Sequence, residues 1–169
     1  LEEGDVPVVT SAGISGYHNK SRVKSPGVVT GRSGSVGKVY YIEKDFWPHN
    51  TTLFVKDFKG NLAKYVYYFL LGFDITQYSS STAVPTLNRN NMRNIYVKVP
   101  PLEEQHEIVR RVEKLFALAD SIEEKYKKAY ERLEKLEQAI LAKAFRGELV
   151  EPDPNDEPAE ELIKRILVE

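Results

Sequence analysis

Residues 102–146 read LEEQHEIVRRVEKLFALADSIEEKYKKAYERLEKLEQAILAKAFR, and this stretch decides how the chain is organised. It contains neither Pro nor Gly, and the strong helix formers Glu, Lys, Leu and Ala dominate it. Apolar residues recur along it at alternating spacings of four and three, which is a heptad pattern. These residues are Ile108, Val112, Leu115, Ala119, Ile122, Tyr126, Ala129, Leu133, Leu136 and Ile140. The pattern predicts one coiled-coil helix about 65 Å long.

These ten residues, called the heptad seam below, need a partner. A single straight helix of this length cannot cover its apolar stripe with a front domain of about 100 residues. We therefore expect dimerisation or helix packing through the seam, with a second helix from another copy or from a further part of the same polypeptide. The alternative is a lone amphipathic helix that lies on its own domain.

Charge and composition change at Pro100-Pro101. Residues 1–101 carry 12 Lys and Arg against 7 Asp and Glu, a net charge of +5, whereas residues 102–169 carry 12 against 18, a net of −6. We expect a basic domain over 1–101 and the spacer helix over 102–147, which Gly147 ends. An acidic, Pro-containing link and a short C-terminal helix follow over 148–169.

The front domain is predicted to mix strands, one helix and long loops. Short apolar runs separated by Gly, Ser and Asn predict strands over Val6–Thr10, Gly27–Thr30, Lys38–Ile42, Thr51–Val55 and Ile95–Val99. A helix with Asn61 as its cap and Gly72 as its stop interrupts them. The fold class is thus α+β: a mixed α/β domain with short strands and long loops, then one long coiled-coil α-helix and a short C-terminal helix.

The same composition excludes several classes of protein. A hydrophobic content of 41% is enough for a packed core, and zero Cys excludes disulfides, thiolate metal sites and a cysteine nucleophile. Without a membrane-length apolar run or a signal peptide, we expect a cytoplasmic protein and no membrane partner. Because the chain opens at Leu1 and reaches a strand almost at once, we expect it to be the back part of a longer polypeptide.

Residues 31–38, GRSGSVGK, have the composition of a phosphate-binding loop but not its spacing. Five residues separate Gly31 from Gly37, where the nucleotide loop needs four, and Val39 follows Lys38 where that loop has Ser or Thr. We interpret the segment as a turn between two strands. Such a turn presents cations, hydroxyls and backbone N–H groups together, which suits contact with phosphates and guanine.

Three further segments have the chemistry of nucleic-acid contact, since Asn pairs with adenine, Arg with guanine, and Ser or Thr with phosphate. They lie around residues 17–24, 49–50 and 78–91, in a domain with a net positive charge and no acidic cluster. Each alone could be a solvated loop; together they predict DNA binding. The predicted DNA-binding residues are Tyr17, His18, Asn19, Lys20, Arg22, Arg32, Ser33, Ser35, Lys38, His49, Asn50, Ser80, Ser81, Thr82, Thr86, Asn88, Arg89 and Asn90.

Catalytic and metal sites are not predicted. The three histidines, His18, His49 and His106, are scattered and show no metal-ligand spacing. Paired carboxylates occur on the long helix, where a solvated flank explains them. We therefore expect no catalytic residue and no metal ligand.

Five segments in one order carry a family resemblance. They are GRSGSVGKV (31–39), HNTTLFVKD (49–57), AVPTLNRN (83–90), VPPLEEQ (99–105) and QAILAKAFRGELV (138–150). The chain closely resembles the specificity subunit of type I restriction–modification enzymes. It matches a C-terminal target-recognition domain plus one helix, about half of that subunit.

The resemblance implies a subunit that catalyses nothing. Family members alternate two target-recognition domains with two antiparallel helices, so that each domain reads one half of a split site in double-stranded DNA. The implied partners are modification subunits, which methylate adenine with S-adenosylmethionine, and a restriction subunit, which uses ATP and Mg²⁺. A second copy, or the second half of the specificity subunit, is implied through the antiparallel helices. No cofactor is expected in this chain.

Two other functions remain open from the residues. One is a stand-alone nuclease or methyltransferase, against which the missing metal ligands weigh. The Asn/Asp-Pro-Pro-Tyr methyltransferase motif is also missing, because Val99 precedes Pro100-Pro101 and Leu102 follows it. The other is a coiled-coil protein-interaction adaptor without DNA specificity.

Overall fold

The computed structural model describes residues 3–80, 83–151, 153, 155 and 157–167. The chain divides into two compact units, one of residues up to Leu115 and one from Phe116 onward.

The strands are β1 (Val6–Thr10), β2 (Gly13–His18), β3 (Gly27–Gly31), β4 (Val39–Ile42), β5 (Trp47–Pro48), β6 (Thr52–Phe54), β7 (Ser79–Ser80) and β8 (Thr86–Leu87). The helices are α1 (Ala63–Gly72), α2 (Leu102–Phe145) and α3 (Ala159–Leu167), and short 3-10 turns cover Ile75–Tyr78 and Arg89–Met92. The predicted α+β class is confirmed.

Three small sheets form the first unit. One has the order β2-β1-β5, with β1 antiparallel to β2 and parallel to β5. The second has the order β4-β3-β6 and is antiparallel throughout. The third is the β7-β8 pair, in which Ser80 lies opposite Thr86.

Strand β3 is the centre of the core because both of its faces are buried. Val29 packs with Val9, Ile42 and Phe46 on one face, whereas Val28 on the other face belongs to a second cluster with Val39, Ile75 and Leu87. Alternation of side chains across a strand explains how neighbouring valines enter different clusters. The apolar residues of β3 therefore contribute to both clusters of the core.

The predicted strand over Ile95–Val99 is wrong. Residues 95–99 are irregular and pair with no strand among the described residues. Val97 and Val99, two positions apart, line an apolar cavity instead, and this packing accounts for the alternating pattern. No strand is predicted between Val6–Thr10 and Gly27–Thr30, but β2 occupies Gly13–His18 and pairs with β1 through a bulge at Val8–Val9.

Helix α1 ends at Gly72, as predicted, but Asn61 is not its cap. The cap position belongs to Leu62, whose side chain offers no hydrogen bond to the helix. The amide of Asn61 turns away, and its Nδ2 donates to the Phe58 carbonyl at 2.8 Å. A side chain from α2, Gln105, takes over the capping role, because its Oε1 accepts the Leu62 N–H at 2.9 Å.

Helix α2 starts against the first unit and ends in a left-handed cap. Near its start, Val109 and Gln105 are buried, and Lys64 of α1 forms an ion pair with Glu113. At its end the N–H of Gly147, with φ of 71°, donates to Ala144 O, and Glu148 N donates to Lys143 O. These two bonds form a Schellman motif, so the helix stops two residues before the predicted boundary at 147.

Arginines stabilise the first turns of α2. Glu107 accepts hydrogen bonds from Arg110 at 2.7 Å and from Arg111 at 2.7 Å. These bonds hold the pKa of the Glu107 carboxyl at about 2. The group stays ionised across the physiological range, and negative charge there suits the positive end of the helix dipole.

Candidate nucleic-acid interface

The predicted turn is the loop of the β3–β4 hairpin, and glycines shape it. Gly34 and Gly37 have φ values of 81° and 91°, a region that favours glycine. Gly31 approaches the chain so closely that a Cβ atom there would overlap the Ser35 carbonyl oxygen. The loop thus folds back on itself while Arg32 and Lys38 remain exposed.

A second loop, around His49–Thr52, attaches to this hairpin through one residue. The Thr51 carbonyl accepts from Arg32 N at 2.7 Å and from Ser33 N at 3.3 Å. The Thr51 hydroxyl lies 3.1 Å from His49 Nδ1 and accepts from Ser11 N at 3.3 Å. Thr51 therefore ties the hairpin, the predicted His49-Asn50 segment and the β1–β2 turn together.

A third loop, residues 84–90, attaches to the same hairpin from another side. Leu87 N donates to the Arg32 carbonyl at 2.7 Å, and Gly34 N donates to the Pro85 carbonyl at 3.1 Å. Ser33 forms a bridge with Thr86, and the Ser80 hydroxyl lies 3.3 Å from the Thr86 carbonyl. Residues 51 and 55 positions apart in sequence are thus joined by main-chain hydrogen bonds.

These loops, residues 31–38, 49–51 and 84–90, are called the three-loop cluster below. Two of them, the hairpin loop and residues 84–90, line a polar cleft of about 360 Å³. Its walls are Arg32, Leu53, Thr86, Leu87, Asn88 and Arg89. The structure therefore brings four predicted DNA-binding residues, two of them arginines, to one cleft.

The cations of the three-loop cluster give it a positive charge. Arg32, Lys38 and Arg89 are exposed, and none of them forms an ion pair within the part of the chain that the structure describes. Asn88 accepts the Asn90 N–H at 3.0 Å through Oδ1, which leads into the 3-10 turn that carries Arg89. The cleft is therefore bordered by positive charge and lined by amide, hydroxyl and guanidinium groups.

The predicted segment 17–24 lies elsewhere, around Trp47. The Arg22 guanidinium lies 5.3 Å from the centre of the Trp47 ring, and the buried His18 ring packs edge-on against the same ring at 4.8 Å. Lys24 pairs with Asp45 at 2.7 Å, which lowers the pKa of that carboxyl. Tyr17, Asn19 and Lys20 are exposed. This segment is a second basic surface, held by aromatic packing rather than by the three-loop cluster.

Other predicted residues have less defined surroundings. Ser35 is half-buried in the hairpin loop, and Asn50 and Asn90 are exposed. Ser81 and Thr82 lie outside the described residues. The assignment of all eighteen residues to DNA contact stays a prediction.

Sequence reasoning missed Thr51 and Trp47, which organise the two basic surfaces. Thr51 acts mainly through its main-chain carbonyl, which no sequence pattern reveals. Trp47, the only Trp of the chain, carried a signal, because a lone Trp near cations favours a cation–π contact.

In residues 3–80, 83–151, 153, 155 and 157–167, no three His, Asp or Glu side chains gather where they could hold a metal ion. Among these same residues, no helix combines the length and apolarity that crossing a membrane requires.

A family model matches residues 1–132 and is described as the type I restriction modification DNA specificity domain. The match covers most of the chain, and the chain therefore belongs to this family, as the resemblance of its motifs predicted.

Curated relatives at high identity are specificity subunits of type I restriction enzymes. The EcoBI subunit of Escherichia coli is 56% identical over 75 residues, and the EcoDI subunit of the same species is 57% identical over 70 residues. The StySPI subunit of Salmonella potsdam is 52% identical over 71 residues. The EcoBI alignment covers 44% of this chain but only 16% of the relative, so the chain matches a small part of a longer subunit.

Two solved structures share the fold at low sequence identity. The crystal structure of the type I restriction–modification S subunit from M. genitalium gives a TM-score of 0.58 at 21% identity, over 72% of this chain and 35% of that one. A structure from a study of complex assembly and conformational transition of the type I system gives 0.69 at 20% identity, over 88% and 40%. The architecture of one domain followed by a long helix is therefore found in type I systems.

Proposed function

We propose that this chain is a non-catalytic, sequence-specific DNA reader: one half-site module of a type I restriction–modification specificity subunit. Residues 1–101 form the target-recognition domain, residues 102–147 the spacer and dimerisation helix, and residues 148–169 an acidic tail. The observation that carries this proposal is the three-loop cluster, where segments far apart in sequence meet at a cleft with two arginines.

Within the cluster, the chemistry divides between base reading and phosphate contact. Arg32 and Arg89 offer planar pairs of N–H donors to guanine O6 and N7, and Asn88 matches the acceptor and donor of adenine. Lys38 carries a point charge suited to phosphate. Arg22, which lies over the Trp47 ring, and the exposed Lys20 offer further positive charge to the DNA phosphates. The proposed DNA-binding set is the one predicted from the sequence.

The exposed heptad seam supports the second half of the proposal. Leu115, Tyr126 and Leu133 are each more than 60% exposed. Such a row of apolar side chains is stable when a second helix covers it. We assign that helix to a second copy, or to the other half of a longer subunit, packed antiparallel so that two domains face two half-sites.

Methylation and cleavage then belong to partner subunits in the cytoplasm. The specificity module directs a modification subunit, which supplies S-adenosylmethionine for adenine methylation, and a restriction subunit, which uses ATP and Mg²⁺.

A duplex panel tests the reader role. The purified chain is titrated with randomised duplexes between 50 and 200 mM salt, a range in which a protein with about 6–10 phosphate contacts loses roughly 10³–10⁵ in affinity. We expect steep salt dependence and a reproducible ranking of sequences. Equal affinity for every duplex, or none in a dimeric sample, would contradict the proposal and favour the adaptor function.

A further inference from the structure

The first unit has an apolar groove next to the three-loop cluster, with which it shares Arg89. It has a volume of about 700 Å³ and lies between β3, β6, α1 and residues 89–99. Its apolar walls include Val66, Phe69, Leu70, Met92, Val97 and Val99. Three exposed cations, Lys56, Arg89 and Arg93, also line it. The groove is large and apolar enough to take the side chains of an amphipathic helix.

The groove also contains a polar group without a partner. The hydroxyl of Thr30 lies in the groove wall, is 9% exposed, and finds no hydrogen-bond partner among the described residues. A buried hydroxyl is usually paired, and leaving one unpaired has a cost.

Helix α3 has the complementary properties. Leu162, Ile163, Ile166 and Leu167 form one face at spacings of one, three and four, and all four are exposed. Glu160 and Glu161 occupy its first turn. The link before it is acidic as well, with Glu148, Glu151, Asp153, Asp156 and Glu157. An apolar face with acidic surroundings matches an apolar groove lined by cations.

The length of the link between α2 and α3 favours binding of α3 to the groove of a different copy. Helix α2 continues for thirty residues beyond Leu115, which is about 45 Å at 1.5 Å per residue. The thirteen residues 146–158 span at most about 45 Å when fully extended, and the turn at Gly147 shortens them. In an antiparallel pair of α2 helices, by contrast, the end of one helix lies beside the start of the other.

We propose that α3 of one copy binds the apolar groove on the first unit of a second copy. The exchange is reciprocal, since a two-fold pair presents the same groove and the same helix on both sides. It adds a docking contact at each end of the antiparallel helices and fixes each target-recognition domain relative to the spacer. The proposal rests on the helix pairing of the proposed function.

Disulfide trapping tests this contact, and no native thiol competes because the chain contains no Cys. One copy, extended by a size tag, carries Val97→Cys in the groove, and an untagged copy carries Ile166→Cys on the apolar face of α3. Two matched controls replace neighbouring positions. The first is Tyr96→Cys, because Tyr96 is adjacent to Val97 and 95% exposed. The second is Lys164→Cys, because Lys164 lies on the charged side of α3.

We expect the mixed 97–166 disulfide to form at least tenfold faster than the 97–164 or 96–166 pair. Equal rates for all pairs, or no mixed disulfide in a sample that sedimentation shows to be dimeric, would overturn the proposal. An internal disulfide in monomers of the double variant V97C/I166C would also overturn it, because it would place α3 in the groove of its own chain.

The same samples separate this proposal from the reader role. Sedimentation equilibrium reports whether the helices pair at all, and a monomeric sample would overturn both the pairing and the docking of α3. Duplex binding at low salt, measured on the same variants, reports the reader role independently. Loss of the disulfide with retained dimerisation and DNA binding would refute the docking contact alone.

Discussion

Gln105, near the start of α2, caps α1 by accepting the main-chain N–H of Leu62 at 2.9 Å. Its Nε2 donates to Asn61 Oδ1 at 2.8 Å and to the Pro100 carbonyl at 2.9 Å. The side chain is 2% exposed, and its amide therefore binds three neighbours from inside the protein. Through this one residue, the start of the long helix is fixed to the α1 helix of the first unit.

Replacing Gln105 by Met should destabilise the first unit by about 1–3 kcal/mol, because Leu62 N–H and Asn61 Oδ1 would remain buried without partners. Chemical denaturation followed by Trp47 fluorescence measures the loss. The control is Gln138→Met, an exposed position on the same helix, which should change the free energy of unfolding by less than ~0.5 kcal/mol. Equal effects at both positions would contradict the capping role.

Gly31→Ala should weaken the three-loop cluster. Its Cβ would overlap the Ser35 carbonyl, and relieving that overlap should cost about 1–3 kcal/mol of stability. Duplex affinity should fall as the hairpin loop shifts. Gly16→Ala is the matched control, since a Cβ there meets nothing within 4 Å. If both variants bind DNA like the unmodified chain, the hairpin loop does not form part of the interface.

Arg32→Ala and Arg89→Ala should each lose discrimination at one base pair. A lost bidentate contact to guanine costs about 1–3 kcal/mol of specificity. Lys20→Ala, outside the cleft, should weaken all duplexes alike and lower the salt slope by about one. Affinities are measured against a set of single-base variants of the preferred duplex. Uniform losses for all three variants would show that the arginines contact only phosphate.

Leu136→Asp should dissociate the paired helices, because it places a charge in the heptad seam. We expect the dimer dissociation constant to rise at least tenfold, measured by sedimentation equilibrium. Leu141→Asp is a close control: both leucines are 52% exposed, but Leu141 lies off the seam. A larger effect at Leu141 would place the helix interface on a different face.

Inserting one heptad between Ala119 and Ile122 should lengthen the distance between half-sites. Seven residues add about 10.5 Å of helix, which corresponds to roughly 3 base pairs at 3.4 Å per step. Selection from duplexes with variable spacers measures the change. The control is a substitution series that replaces residues 120–121 without changing length. An unchanged preferred spacer would refute the role of α2 as a ruler.

Much of this fold follows from local pattern. The run from Leu102 has no helix breaker and an unbroken heptad, so its helix is predicted within two residues of the observed end. Strands β1 and β3 were predicted because both are valine-rich and end at turn residues. The strand predicted over Ile95–Val99 is wrong, because the alternating apolar residues Val97 and Val99 line a groove and do not belong to a sheet.

For the candidate site, the sequence predicts the residues but not their arrangement in space. Residue chemistry by itself identified the hairpin loop, the His49-Asn50 segment and the loop with Asn88 and Arg89 as candidate DNA contacts. It did not reveal that these three meet and that the Tyr17–Arg22 segment lies apart from them, beside Trp47. Their convergence depends on the carbonyls of Arg32, Thr51 and Pro85, and every residue type has a carbonyl.

The sequence by itself determined the long helix, its unpaired seam, the charge division and the family motifs, because each is a periodicity or spacing set within a few turns of chain. Only the tertiary structure decided which loops share a cleft, that Gln105 rather than Asn61 caps α1, and that an apolar groove exists. The physical reason is that these features depend on hydrogen bonds and packing between residues far apart in the sequence, from 19 positions for Arg32 and Thr51 to 55 for Arg32 and Leu87.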